Sequence, residues 1–255
     1  MGRSVRVQAF VLRTVDFGER DRVVSLLSRE RGKLSAFARG ARSSRRRFGG
    51  ALEPFTRLAA ELRERPGAEL WTLDDVFVER GHGAIRGDLA RIACAGYACE
   101  LAGALVRDAE PHEDLFDLLG GYLARLDEGP AFPWDLRALE LGALRAAGLM
   151  PRLDACARCG GPAREDPVRF DPAHGGVVCR ACRGPSPGAR DASGAAVAAL
   201  AALQAGAPPP GVAPAGGAPL AAEARDLLTA YLEHHLGRRL QARRFLDEVG
   251  PFLGG

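Results

Sequence analysis

At 255 residues, 47% hydrophobic and with a net charge of +3, the chain has length for two or three compact units and enough apolar content to bury real cores. No apolar run approaches the ~18 residues that a membrane span needs. No apolar leader follows the basic N-terminus, so a cytoplasmic protein is expected. The charge is unevenly spread: residues 1–80 hold 17 basic against 11 acidic side chains, and residues 81–150 hold 6 against 11. Lys33 is the only lysine. Arginine abundance therefore follows composition, and only its clustering points to phosphate.

Residues 1–80 read as five short strands. Val5, Val7, Ala9 and Val11 alternate with polar residues, the period-2 pattern of a strand with one buried face. Further strands are expected at 23–27, 33–39, 58–63 and 70–73, the last after the turn Arg65-Pro66-Gly67. Five strands in so short a stretch suggest a small closed barrel of the OB type; a small sandwich fits the same pattern. Residues 29–47 carry eight basic side chains against the single acid Glu30. Arg31, Lys33, Arg39, Arg42, Arg45, Arg46 and Arg47 are the candidate phosphate contacts, because each neutralised phosphate releases counterions. Phe37 shares a strand face with Lys33 and Arg39 and is a candidate base-stacking residue, with a core position as its alternative.

Helices follow. One is expected from a cap at Asp88 to about 107, a second opens at Pro111-His-Glu-Asp114, and a third runs over 135–147 and stops at Gly148. Cys94 and Cys99 fall inside the first and read as buried small hydrophobes. An Ala-rich helix is expected over 193–204 and a last one, continuous, over about 221–249. Arg239 and Arg243 lie near the end of that last helix. They complement its dipole or form a second phosphate surface.

Between the third helix and the Ala-rich helix stand Cys156-Ala-Arg-Cys159 and, nineteen residues on, Cys179-Arg-Ala-Cys182. Two C-x-x-C pairs at this spacing match a four-cysteine zinc site. Each pair wraps a knuckle around one edge of a tetrahedral ion, and short strands at 168–170 and 176–178 bring the knuckles together. Four thiolates close the shell, so one structural zinc is expected and no chemistry at it. His174, the local alternative ligand, reads as a turn residue. No phosphate-binding loop, metalloprotease pair or nucleophile elbow occurs, which points to a binding protein rather than an enzyme. The alternatives are a protein–protein adaptor and a metal-dependent nuclease.

A resemblance sharpens this. Gly18-Glu-Arg-Asp-Arg22, Gly32-Lys-Leu34, Gly40-Ala-Arg42 and Leu52-Glu-Pro-Phe55 are followed by Leu136-Arg-Ala-Leu-Glu-Leu141 and Gly148-Leu-Met-Pro-Arg-Leu153. The two cysteine pairs, Phe170-Asp-Pro and Tyr231-Leu-Glu-His-His-Leu-Gly237 complete the order. In this order they resemble the RecO family of bacterial recombination mediators. The resemblance implies an α+β protein: an N-terminal OB-fold (1–80), a helical domain (81–150 with 185–255) and a zinc-ribbon module (151–184) inserted in it. It also implies binding of single- and double-stranded DNA, annealing of complementary strands, and partnership with RecR. Recognition of the C-terminal tail of single-stranded-DNA-binding protein, loading of RecA on gapped DNA and a cytoplasmic, nucleoid-associated location follow from the same likeness. The run Arg45-Arg-Arg47 is denser in charge than the family pattern.

Overall fold

A computed structural model describes residues 3–44, 47–65, 67–163, 165–210 and 217–249. Five strands, β1 (Ser4–Phe17), β2 (Asp21–Ser28), β3 (Gly32–Ala38), β4 (Arg57–Arg63) and β5 (Trp71–Arg80), close into a barrel in the order β1-β2-β3-β5-β4. Only β3 and β5 run parallel. Closure and strand order are those of an OB-fold, so the sandwich alternative falls away. The alternation seen in the sequence fills the barrel: Val7, Ala9, Val11, Val24, Leu26, Leu34, Ala36, Leu58, Ala60 and Leu62 form its core. β1 is longer than expected. Its register slips between Val11 and Arg13, and that bulge reverses which side chains face inward. Thr14 consequently turns in and donates to the Leu52 carbonyl at 2.6 Å.

The helices are α1 (Leu89–Leu105), α2 (Glu113–Glu128), α3 (Pro133–Ala146), α4 (Gly194–Gln204), α5 (Ala218–Leu236) and α6 (Gln241–Val249). Asp88 caps α1 through the Arg91 amide, and Ser193 caps α4 through the Ala196 amide. The expectation of one continuous last helix is corrected. Gly237 takes the left-handed conformation (φ 65°), which ends α5 and lets the chain restart as α6. Among the described residues no helix is long and apolar enough to cross a membrane.

Contacts divide the chain into two compact units, Met1–Pro130 with Gln241–Pro251, and Ala131–Leu240. The expected boundary at residue 80 follows chain order; compactness follows packing. In the first unit one outer flank of the barrel is covered by helices. Phe10 packs on Phe116 of α2 with ring centroids 4.8 Å apart, and Gly120 of α2 leaves room for that ring. α6 lies along α1, where Glu100 accepts from the Gln241 and Ala242 amides. Cys94 and Cys99 are buried in α1, and burial pushes the Cys99 thiol up to about 12.

His82 ends the barrel as a buried residue whose Nδ1 donates to the Phe55 carbonyl at 2.7 Å. Burial lowers its pKa and outweighs the raising effect of that carbonyl. The folded protein thus prefers neutral His82, and below the ordinary value of about 6.5 the unfolded chain binds more protons. This unit should hold its His82-linked stability above about pH 6.5 and lose it progressively as pH falls below that value and through the lowered pKa of the folded state. Chemical denaturation between pH 7.5 and 5.5 checks this. His82→Asn, which keeps a donor and suits the left-handed backbone there (φ 47°), should flatten the dependence.

In the second unit α3, α4 and α5 pack together, and a small sheet in the order β7-β6-β8 is added to them. Its strands are β6 (Val168–Asp171), β7 (Gly176–Val178) and β8 (Arg190–Ala192). Phe170 of β6 is fully buried against Tyr231 of α5, centroids 5.8 Å apart. Asp171 is buried too and caps the β6–β7 turn, accepting from Ala173 N, Ser186 Oγ and His174 Nδ1. Burial works against its charge, but these donors win and lower its pKa.

Candidate nucleic-acid interface and candidate metal centre

The bulge in β1 sends Arg13, Val15 and Phe17 outward, in register with Ser25, Val23 and Asp21 of β2. β3 continues the rows, with Phe37 beside Val23 and Ser35 beside Ser25. Phe17 is 59% exposed and meets the half-buried Phe37 edge to face at 5.5 Å. Val15 is exposed as well. This face of β1-β2-β3 is an uncovered apolar strip, in contrast to the flank under α2. Phe17, Arg13 and Arg20 were not among the residues singled out from sequence. Continued alternation of Arg13, Val15 and Phe17 was their signal, hidden by the bulge.

The basic cluster divides at this barrel. At the β2–β3 turn, Arg29 pairs with Asp117 at 2.5 Å and with Glu113 at 3.5 Å, both on α2. Lys33 donates to the Gly103 carbonyl at 3.0 Å and pairs with Asp108 at 2.9 Å. Its charge tethers the barrel to the end of α1, where carbonyls favour a cation. At the opposite end of the strands Arg20 and Arg39 are exposed, and neither side chain has a partner among the described residues. The Arg42 amide donates to the Arg20 carbonyl at 3.0 Å, which ties the β1–β2 turn to the arginine loop. The Arg42 guanidinium stays exposed, beside Asp16 at 3.4 Å. Arg47 is exposed, stacks over Phe48 at 4.7 Å and donates to the Arg39 carbonyl at 2.6 Å. Arg31 is half-buried at the other turn, with no ion pair among the described residues. Arg45 and Arg46 lie outside the described residues.

The two C-terminal candidates fall in different units. Arg239 is exposed in the second unit and pairs with Glu233 at 3.4 Å. Arg243 is corrected: it is 3% exposed in the first unit, lies over the Tyr97 ring and pairs with Asp247 at 2.6 Å. A guanidinium so enclosed has no face to offer a phosphate.

The cysteines meet as their spacing requires. The sulfurs of Cys156, Cys159, Cys179 and Cys182 all lie within 4.8 Å of one another, and Cys159 Sγ stands 3.8 Å from Cys179 Sγ. That separation is the edge of a tetrahedron with metal–sulfur bonds of about 2.3 Å and about twice a disulfide bond. Backbone geometry holds the knuckles: Gly160 N donates to Cys156 O, Cys182 N to Cys179 O, and Ala157 N to Val177 O of β7. Cys156 and Cys179 are buried; Cys159 is exposed. Burial alone pushes the Cys156 thiol up, but backbone groups of Cys179, Cys159 and Arg158 outweigh it and draw it down to about 6. Hydrogen bonds with Cys159 and Cys179 push the Cys182 thiol up to about 12. The four thiols fit one metal ion, and His174, bonded to Asp171, is not among them.

Residues 1–80 match the family described as "Recombination protein O N terminal", and residues 86–244 match "Recombination protein O C terminal". The chain belongs to the RecO family. It is 64% identical to the DNA repair protein RecO of Anaeromyxobacter dehalogenans (strain 2CP-C) over 251 residues, covering 98% of this chain and 99% of that one. It is 50% identical to the RecO of Myxococcus xanthus (strain DK1622), over 95% and 96% of the two chains. With the RecO of Geobacter metallireducens it shares 37% over 97% and 99%. As a member of the RecO family the chain has a role in DNA repair by recombination, and its four-cysteine cluster and barrel accord with that assignment.

Proposed function

We propose that this RecO-family protein is a non-catalytic recombination mediator that binds single- and double-stranded DNA on the outer face of β1-β2-β3 and anneals complementary strands. The observation that supports it most is the separation of charge on the barrel. Acids of α2 and of the loop after α1 occupy Arg29 and Lys33, while Arg13, Arg20, Arg39 and Arg47 stay exposed around the apolar strip with no carboxylate on them among the described residues, and Arg42 stays exposed beside Asp16. Annealing needs two polyanions held close, and a cationic surface screens their repulsion. Arg45 and Arg46 neighbour Arg47 in sequence and are further candidate contacts, as is Arg31 at the other turn, and Arg239 is a second-tier contact. The four cysteines hold one zinc ion, whose role is to fold the ribbon.

In this reading RecR and the acidic tail of single-stranded-DNA-binding protein are the protein partners, RecA loading on gapped DNA is the outcome, and the protein works in the cytoplasm on the nucleoid. Strand annealing in the presence of single-stranded-DNA-binding protein, with and without its tail, tests it. Arg39→Ala/Arg42→Ala/Arg47→Ala should anneal much more slowly than wild type. Undiminished annealing would reject the barrel face and favour an adaptor acting through its helices.

A further inference from the structure

The aromatic pair Phe17 and Phe37 is costly where it stands. Phe17 is 59% exposed at the end of β1, with its ring edge against Phe37 at 5.5 Å and no helix over it among the described residues. Val15 and Val23 carry the apolar strip inward along the same rows. Around the strip stand guanidinium groups of Arg13, Arg20 and Arg39, with no carboxylate on them among the described residues. An apolar partner segment would satisfy the rings and leave these cations unmatched. An aromatic group carried on a polyanion satisfies both.

Resting on the reading of this face as a DNA surface, we infer that Phe17 is a base-stacking residue that makes the barrel prefer single-stranded over duplex DNA. A base paired inside a duplex has both faces covered by its neighbours and cannot reach a side chain on a strand. An unpaired base offers its π-face, and stacking on Phe17 with Phe37 at its edge buries both. The arginines hold the backbone of either form, so they contribute affinity without preference. Phe17 contributes the preference. Its neighbour Asp21, opposite it in register, accepts from Gly40 N at 2.7 Å and so holds the arginine loop beside the stacking position.

The test uses the full chain, a dT oligonucleotide carrying one 2-aminopurine, and a blunt duplex of equal length. Wild type should quench 2-aminopurine emission on binding and favour the single strand. Phe17→Ala should lose the quench and weaken single-strand binding by about tenfold, with duplex affinity and the salt dependence of both unchanged. Phe17→Trp should restore the quench. Because Phe17 lies largely in solvent, the alanine variant should fold as wild type does. Equal losses on both DNA forms, or a quench that survives in Phe17→Ala, would overturn the inference while leaving phosphate binding intact. Failure of wild type to bind either DNA would overturn the underlying reading as well.

Discussion

Glu140→Ala should destabilise the second unit by about 3–5 kcal/mol, the usual cost of leaving one member of a buried ion pair alone. Arg137 is 2% exposed and Glu140 is 0% exposed, three residues apart on α3. One hydrogen bond joins them, Arg137 Nη2 to Oε1 at 2.8 Å, and Arg137 Nε stands 2.6 Å from Oε2 as the closest approach of the ion pair. A hydrogen bond between two charged groups is stronger than one between neutral groups. Removing the carboxylate leaves a cation without compensation among apolar helix faces. Replacing both, as Arg137→Met/Glu140→Leu, removes the desolvation cost with the attraction, and should recover most of the loss. Urea denaturation of the three proteins decides it. A cost below ~1 kcal/mol for Glu140→Ala would mean the pair is solvated.

Cys156→Ser should release the metal and unfold the ribbon while the barrel stays folded. Cys156 is fully buried at the centre of the cluster, and all four sulfurs come from 156–182 in the second unit. The three-stranded sheet around them is short. β6, β7 and β8 have four, three and three residues, too few to stand without a clamp. In small zinc modules metal binding supplies about 10–16 kcal/mol of apparent free energy, effectively the folding energy itself. Purified wild type should carry about one zinc per chain, and the serine variant close to none. Amide exchange over 151–192 should rise to the unprotected rate in the variant, with β1–β5 protected as before. Zinc-free wild type with a protected ribbon would show that the thiols need no metal.

How much of this could be read beforehand follows from local physics. Period-2 alternation placed the barrel strands, capping residues Asp88 and Ser193 placed α1 and α4, and C-x-x-C spacing placed the cluster. What failed to show depended on context. Leu12, packed near Gly103 of α1, breaks the alternation of β1 and hides its second half. Phe17 and Arg13 were lost with it. β8 is three residues, Arg-Asp-Ala, with no strand propensity of its own; it forms because β6 offers an edge. Lys33 and Arg243 looked like members of a basic patch because nothing in sequence links them to Asp108 or Tyr97. Charge clusters are visible in a sequence, whereas the carboxylates that neutralise them are found only in the fold.

The slope of log affinity against log salt for a single-stranded oligonucleotide tests the central claim most directly. Each single-strand phosphate contact contributes about 0.7 to that slope. The account predicts that Arg20→Ala/Arg39→Ala/Arg47→Ala, which removes three exposed cations with no carboxylate on them among the described residues, reduces its magnitude by about 2, whereas Lys33→Ala, whose cation is already paired, leaves it nearly unchanged. A slope unaltered in the triple variant would contradict the account.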